Sequence, residues 1–153
     1  MINYITRDPP RRPTVGVDLR YGTYGYLLAQ AFAGATHGPI GWRLDVIHRR
    51  FDGPRNLDLT LMDVAGRLRL QLSPRSIVQL KVNYYDESSA ATYLGVTGPQ
   101  FALDPTINNA GNDRFLIRRY ALALTHQLIV SPSVLVRTNF YAYETNRAWR
   151  RQK

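Results

Sequence analysis

Arginine is the residue type in this chain with the widest scope for binding chemistry. Basic residues number 20 against 11 acidic ones, which gives a net charge of +9. A guanidinium presents a planar fork of N–H donors that grips a carboxylate or phosphate in bidentate fashion. One set lies at alternate positions of predicted strands and is expected to share a face: Arg20, Arg43, Arg67, Arg69, Lys81, Arg119 and Arg137. A second set clusters toward the other strand ends: Arg49, Arg50, Arg55, Arg118, Arg147, Arg150 and Arg151. Both sets predict contact with anions.

Catalytic chemistry finds little support in the residue pattern. Cysteine is absent, so thiolate nucleophiles and thiolate metal sites are excluded. The three histidines, at positions 37, 48 and 126, follow no metal-ligand spacing. Asp86 and Glu87 are adjacent in a predicted strand, so their side chains point to opposite faces and do not form an acid–base pair. We expect no enzymatic activity and no directly bound cofactor.

A basic chain also raises the possibility of nucleic-acid binding. That function needs basic residues interleaved with stacking aromatics on one exposed face. Here the aromatics fall mainly near predicted strand ends, while the charges spread along one face of every strand. We therefore expect no nucleic-acid partner.

The elements that carry these arginines are predicted strands, because apolar residues recur with a period of two. Seven segments show this alternation, and their apolar members include Val15–Tyr21, Leu27–Ala33, Trp42–Val46, Leu68–Leu72, Val78–Tyr84, Tyr120–Leu124 and Val134–Phe140, taken at every second residue. No useful stretch has the 3.6-residue period of an amphipathic helix. The pattern predicts an all-β chain, an antiparallel meander of about seven long strands.

The predicted connections alternate between short and long. Short turns with proline, glycine or serine occur at 37–40, 73–75 and 131–133, whereas longer connections lie around 51–55 and from about 87 to 113. Two strands are also long, one ending at Leu72 and one running from about Asp113 to Val130. Tight turns at one end and long loops at the other, with strands above 9 to 11 residues, are typical of transmembrane β-barrels.

Aromatic residues mark the predicted membrane interfaces. Tyrosine and tryptophan favour the headgroup region because their rings are apolar at one end and polar at the other. Most tyrosines fall near the long-loop ends of strands, and Trp42 falls near a short turn. The predicted interface set is Tyr21, Tyr24, Trp42, Tyr84, Tyr141 and Tyr143.

Several segments resemble TonB-dependent outer-membrane siderophore receptors. Residues 2–10, INYITRDPP, resemble the end of their plug domain, and YGTYG at 21–25 with GPIG at 38–41 resembles the first barrel hairpin. YYDES at 84–88 leading to YLGVT at 93–97, and TNRAWR at 145–150, are similar to the ferric-dicitrate-type branch. The resemblance covers nearly the whole chain.

This resemblance implies residues 1–13 as the end of the plug domain and linker, and residues 14–153 as the N-terminal part of a barrel of about 22 strands. It implies import of a ferric chelate across the bacterial outer membrane, with the chelate as transported ligand. The implied partners are the TonB energy-transducing complex, reached through a region N-terminal to this chain, and membrane lipid and lipopolysaccharide. The sequence shows no signal peptide, no short N-terminal segment of the kind that contacts the TonB complex, and no C-terminal strands that would close the barrel. It is therefore expected to be a fragment.

Within this framework, arginines on the lumenal face are the candidates for gripping the carboxylates of a chelate. The hypothesis names Arg49, Arg119, Tyr85 and Arg137 as ligand-binding residues. Two other roles stay open: lumenal arginines can pair with carboxylates of the plug or wall, and outer arginines can contact lipopolysaccharide phosphates. Two other functions also stay open, a small outer-membrane barrel with a structural or adhesion role and a soluble lipocalin-like barrel.

Overall fold

The computed structural model describes residues 7–91 and 94–152, which form one antiparallel sheet. The strands are β1 (Thr14–Tyr21), β2 (Leu27–His37), β3 (Ile40–Phe51), β4 (Leu59–Ser73), β5 (Ser76–Ser89), β6 (Arg114–Ser131) and β7 (Val134–Arg150). Each strand pairs with the next, so the sheet is a seven-stranded meander. The prediction of an all-β meander of about seven long strands is confirmed. Residues 2–6 and Tyr93, which belong to segments that resemble the receptors, lie outside the described residues.

The connections differ sharply between the two ends of the sheet. At one end, called the short-turn end, only Gly38-Pro39, Pro74-Arg75 and Pro132-Ser133 separate successive strands. Gly38 has a φ of +54°, which glycine adopts without a Cβ penalty. At the other end, the long-loop end, the connections span residues 22–26, 52–58 and 90–113. The predicted alternation of short turns and long loops is therefore present.

The longest connection contains a helix that the sequence pattern did not predict. Helix α1 covers Gly98–Leu103 and begins with a capping box between Thr97 and Gln100, with proline in its first turn. Such a box satisfies backbone N–H groups that the first turn leaves without partners. The helix is too short to show an apolar period, which is why periodicity missed it. Within the described residues, no helix is long and apolar enough to cross a membrane.

The two faces of the sheet differ in chemistry along entire rows of paired residues. One row crosses all seven strands with only apolar residues or glycine: Val15, Ala33, Leu44, Gly66, Val82, Leu122 and Ala142. A second crosses six strands: Ala35, Trp42, Leu68, Leu80, Leu124 and Phe140. We call this side the apolar face and the opposite side the polar face. The predicted strand parity is confirmed throughout.

The apolar face is open rather than buried. Val15 is 76% exposed, and Val82 and Phe140 are 46% and 58% exposed. The polar face is the better covered of the two, with Arg43 only 8% exposed. A soluble sheet has the reverse arrangement, since burial of apolar surface is the main favourable contribution to folding.

Residues 7–13, called here the N-terminal strap, lie against the polar face near the short-turn end. Pro9 and Pro10 lie over Gly41 and Gly34, where a Cβ would come within 3.0 Å of Pro9 Cβ and 2.7 Å of Pro10 Cδ. Thr36 Oγ1 donates a hydrogen bond of 2.8 Å to the Pro10 carbonyl. Two glycines thus leave the space in which the strap crosses the sheet.

Candidate anion-binding trough

The polar face forms a trough of about 1000 Å³. Its charged and amide-bearing lining residues come from β1 to β6 and from the strap: Arg7, Asp18, Arg20, Gln30, Arg43, Asp45, Asp63, Arg67, Lys81, Asn83 and Arg119. Side chains at alternate positions of a strand share a face, so six paired strands bring their polar residues to the same side. Five of the seven basic residues predicted to share a face line this trough.

Arg43 is the most deeply placed cation of the trough, and its charge is compensated. Its Nε and Nη2 donate to the two carboxylate oxygens of Asp45 at 2.7 and 2.6 Å. Its guanidinium carbon also lies 4.1 Å from the centre of the Phe32 ring. A bidentate ion pair and a cation–π contact together fix this guanidinium in one position.

Arg67 and Lys81 continue a row of three cations that begins at Arg43. Arg43 pairs with Arg67 across β3 and β4, and Arg67 pairs with Lys81 across β4 and β5. Like charges directly opposite each other on neighbouring strands are destabilising. The strap offsets part of this repulsion, because Asp8 accepts a hydrogen bond of 2.9 Å from Arg67 Nη1 and the Arg7 carbonyl accepts another at 2.5 Å.

A second polar cluster lies toward the long-loop end, around Tyr85 and Arg119. These two residues pair across β5 and β6, with the Arg119 guanidinium carbon 5.7 Å from the centre of the Tyr85 ring. Arg119 Nη2 donates to Asn83 Oδ1 at 3.5 Å, and Asn83 Nδ2 donates to Asp63 at 2.6 Å. Two residues of the predicted ligand-binding set are therefore in direct contact.

Arg49, the third member of that set, lies on the same face one row closer to the long-loop end. Its cross-strand neighbours are Leu28 and Leu61. Its Nε is buried and has no hydrogen-bond partner among the residues that the structure describes. A buried donor without a partner is costly, so this nitrogen is available to an acceptor that the described part of the chain does not supply.

Arg137 does not join the other three residues of the set. It pairs with Gln127 next to the short-turn end, and the Gln127 side-chain oxygen accepts hydrogen bonds from its guanidinium at 3.0 and 2.5 Å. Gln127 is eight residues beyond Arg119 in β6, which corresponds to about 27 Å along the strand. Arg137 therefore lies far from the Tyr85–Arg119 cluster, and its predicted contact with a ligand stays a prediction.

Three arginines of the long-loop end that were considered for phosphate contact are engaged with carboxylates or loop atoms. Arg118 pairs with Asp86 at 2.5 Å and Arg50 with Asp52 at 3.3 Å. Arg55 donates to the Pro105 carbonyl at 3.1 Å and lies 5.9 Å from the centre of the Phe101 ring. These contacts connect neighbouring strands and loops to one another.

The predicted interface aromatics divide between the two faces. Tyr84 pairs with Val64 and Tyr120 on the apolar face, and Trp42 lies on the same face two residues from the short-turn end of β3. Tyr21 is on that face at the end of β1, and Tyr24 is exposed in the connection that follows. Tyr141 and Tyr143 pair with Ala123 and Ala121, which places them on the polar face. The register therefore places these two tyrosines on the face opposite Tyr84, and their contact with the membrane interface stays a prediction.

The Arg43–Asp45 pair and its neighbours were missed as site residues, although the sequence contains a signal for them. Opposite charges two residues apart in a strand lie on one face and within reach. Two such pairs form within strands, Arg20–Asp18 and Arg43–Asp45, and Arg50–Asp52 forms a third at the end of β3. The contribution of Asp8 had no comparable signal, because it depends on where the strap crosses the sheet.

Among the described residues, no group of three or more histidine, cysteine or acidic side chains could hold a metal ion. The arrangement instead offers basic and amide donors to an anion. Comparisons with protein-family models, with curated protein sequences and with solved structures found no match to this chain.

Proposed function

We propose that this chain is the N-terminal part of the barrel of a TonB-dependent outer-membrane receptor, and that the receptor imports a ferric chelate. In this proposal residues 14–153 contribute the first seven of about 22 strands, and residues 1–13 connect them to a plug. The chain binds and conducts its ligand and catalyses no reaction. Its partners are outer-membrane lipid and lipopolysaccharide, the chelate, and the TonB complex that powers transport.

The observation that carries the proposal is the exposed apolar face. One row of apolar residues and glycine crosses all seven strands, and a second apolar row crosses six. None of the described residues forms a layer over these rows, and Val15, Val82 and Phe140 are each between 46% and 76% exposed. An exposed apolar surface of this extent indicates contact with a partner or a membrane. In a barrel, lipid covers the outer apolar face while the polar face on the opposite side of the sheet stays in contact with water.

Strand lengths and connections support the same function. β4, β5, β6 and β7 contain 15, 14, 18 and 17 residues. A tilted strand crosses the hydrocarbon core in about 9 to 11 residues, and strands of receptors with long outer loops extend beyond it. The tight turns at one end and the 90–113 connection at the other fit the periplasmic and outer sides of such a barrel.

The two open edges of the sheet favour a part of a larger barrel over a small complete one. β1 and β7 each pair with one strand only among the described residues, and β7 is exposed along its whole length. Unpaired backbone groups at membrane depth cost several kcal/mol each, so further strands must cover both edges. We assign these strands to the same receptor.

In this orientation the trough lines the lumen, and its donors meet the ligand. Arg119, Tyr85 and Arg49 lie in the half near the long loops, where a chelate enters. Arg137 is left out of the ligand set, and Tyr141 and Tyr143 are left out of the lipid interface. Tyr21, Tyr24, Trp42 and Tyr84 remain the proposed interface residues.

Uptake of radioactive iron tests the function. The complete gene that carries this chain is expressed in a bacterial host without its own chelate receptors, and uptake of ⁵⁵Fe-citrate is compared with and without the host's TonB complex. We expect uptake that requires both the gene and TonB. A protein that inserts in the outer membrane and gives no TonB-dependent uptake with citrate or other ferric chelates would exclude the transport function and favour a structural barrel.

A further inference from the structure

Lys81 is a cation in the floor of the trough for which the sheet provides no partner. It lies beside Arg67 and lines the trough, and it makes no hydrogen bond or ion pair with any residue that the structure describes. Its two neighbours in the row each form an ion pair with a carboxylate, Arg43 with Asp45 and Arg67 with Asp8. The row therefore carries three positive charges and only one carboxylate from the sheet itself.

The second carboxylate comes from the strap and is weakly held. The Asp8 side chain is 73% exposed, whereas the Arg67 side chain that it contacts is 11% exposed. Asp8 thus reaches a covered cation from solvent, as an external carboxylate would. Its charge also acts on Lys81, although no hydrogen bond joins the two.

We propose that Arg67 and Lys81 form a carboxylate-binding site in the trough floor, and that Asp8 occupies it as an internal ligand which a free di- or tricarboxylate displaces. A ligand with two carboxylates can engage Arg67 and Lys81 together, which the single carboxylate of Asp8 does not. Displacement removes the one ion pair between the strap and the sheet that involves Asp8, while the contacts of Pro9 and Pro10 with the two glycines remain. The strap then loosens at its N-terminal side.

This site is separate from the Tyr85–Arg119 cluster and does not depend on the proposed transport function. Lys81 and Arg119 are in different rows, since Lys81 pairs with Ala123, four residues along β6 from Arg119. A carboxylate site at this position would exist in any protein that contains this sheet. A failed citrate-binding experiment would therefore leave the transport proposal standing, and a failed uptake experiment would leave the carboxylate site standing.

Citrate binding to the full chain in detergent micelles, measured by calorimetry, tests the site. Asp8→Asn removes the internal competitor and Lys81→Gln removes the free cation. Glu144→Gln and Arg75→Gln, both exposed and outside the trough, are controls with the same changes in net charge. We expect Asp8→Asn to strengthen and Lys81→Gln to weaken citrate binding about tenfold each, which is within the range for one charged hydrogen bond. Both controls should bind like the unaltered chain.

Movement of the strap is followed with a dye on Arg11→Cys, the only thiol in an otherwise cysteine-free chain. Citrate should change the dye signal, and inorganic phosphate at the same ionic strength should not. The proposal is overturned if Asp8→Asn binds citrate no more tightly, if citrate binds with no change at the strap, or if phosphate binds as tightly as citrate.

Discussion

Arg119 lies directly opposite Tyr85 across β5 and β6, and its guanidinium carbon is 5.7 Å from the centre of the tyrosine ring. The Tyr85 hydroxyl donates to Glu87 on the same strand, so the ring is held at its far end as well. The aromatic ring positions the guanidinium, and Asn83 accepts from it only at 3.5 Å. Arg119 therefore retains donors that a chelate carboxylate can use.

Arg119→Ala should weaken binding of a carboxylate chelate by about tenfold, the effect of losing one charge-assisted hydrogen bond. Equilibrium binding of ferric citrate to the complete receptor is the measurement. Arg137→Ala is the control, because that residue lies about 27 Å away along the sheet and is engaged by Gln127. Equal losses in both variants would mean that overall charge, rather than the Tyr85–Arg119 cluster, governs affinity.

Asp45→Asn should lower the free energy of unfolding by about 2 kcal/mol, because it leaves the covered Arg43 guanidinium without its anion. The chain offers a matched control in Asp18→Asn, which breaks the same two-residue pairing with Arg20 where both side chains are exposed. That variant should unfold like the unaltered protein. Urea unfolding in detergent measures the free energy of unfolding of both variants. Similar losses in the two would show that burial of the Arg43 guanidinium does not raise the cost of removing its anion.

Gly41→Ala should release the N-terminal strap. A Cβ at this position meets Pro9 Cβ and Thr36 Oγ1 at 3.0 Å, so the strap has to move outward. Limited trypsin digestion detects this, with faster cleavage after Arg7 and Arg11. Gly95→Ala is the control, since its Cβ has nothing within 4 Å. Unchanged cleavage rates in Gly41→Ala would show that the prolines do not rest on this glycine.

Thr97→Ala should destabilise helix α1 by about 1 kcal/mol, the usual cost of losing an N-cap side chain. Hydrogen exchange should become several times faster at the Gln100 and Phe101 amides, which the helix start protects. Exchange within β5 and β6 should not change. Faster exchange across those strands as well would mean that the loop and the sheet unfold together.

The sheet was predictable because its information is repeated along every strand. Leu80 is apolar and Lys81 is charged, and the two side chains lie on opposite faces of the sheet. The same alternation recurs in six other segments, so a single irregular residue does not obscure the pattern. The short turns were predictable because Gly38-Pro39 and Pro132-Ser133 restrict the backbone locally.

The site was less predictable because it depends on distances between segments. Arg119 and Arg137 share a face, but alternation alone does not say how far apart they lie. Tyr141 was assigned to the interface because it was expected near the long-loop end of its strand. Parity was not used, although Arg137 and Asn139 in the same strand already indicate the polar face. The pairing of Asp8 with Arg67 joins residues 59 positions apart and leaves no local trace.

The central claim is that the apolar face meets lipid, and paired spin labels test it most directly. Leu122→Cys and Ala123→Cys are adjacent in β6, where Leu122 belongs to the apolar row and Ala123 lies opposite Lys81 on the polar face. The complete protein that contains this chain, carrying either label, is reconstituted in bilayers. The account predicts that the label at 122 collides with oxygen and is shielded from a water-soluble nickel chelate, with the reverse at 123. Equal access of the nickel chelate to both positions would contradict it.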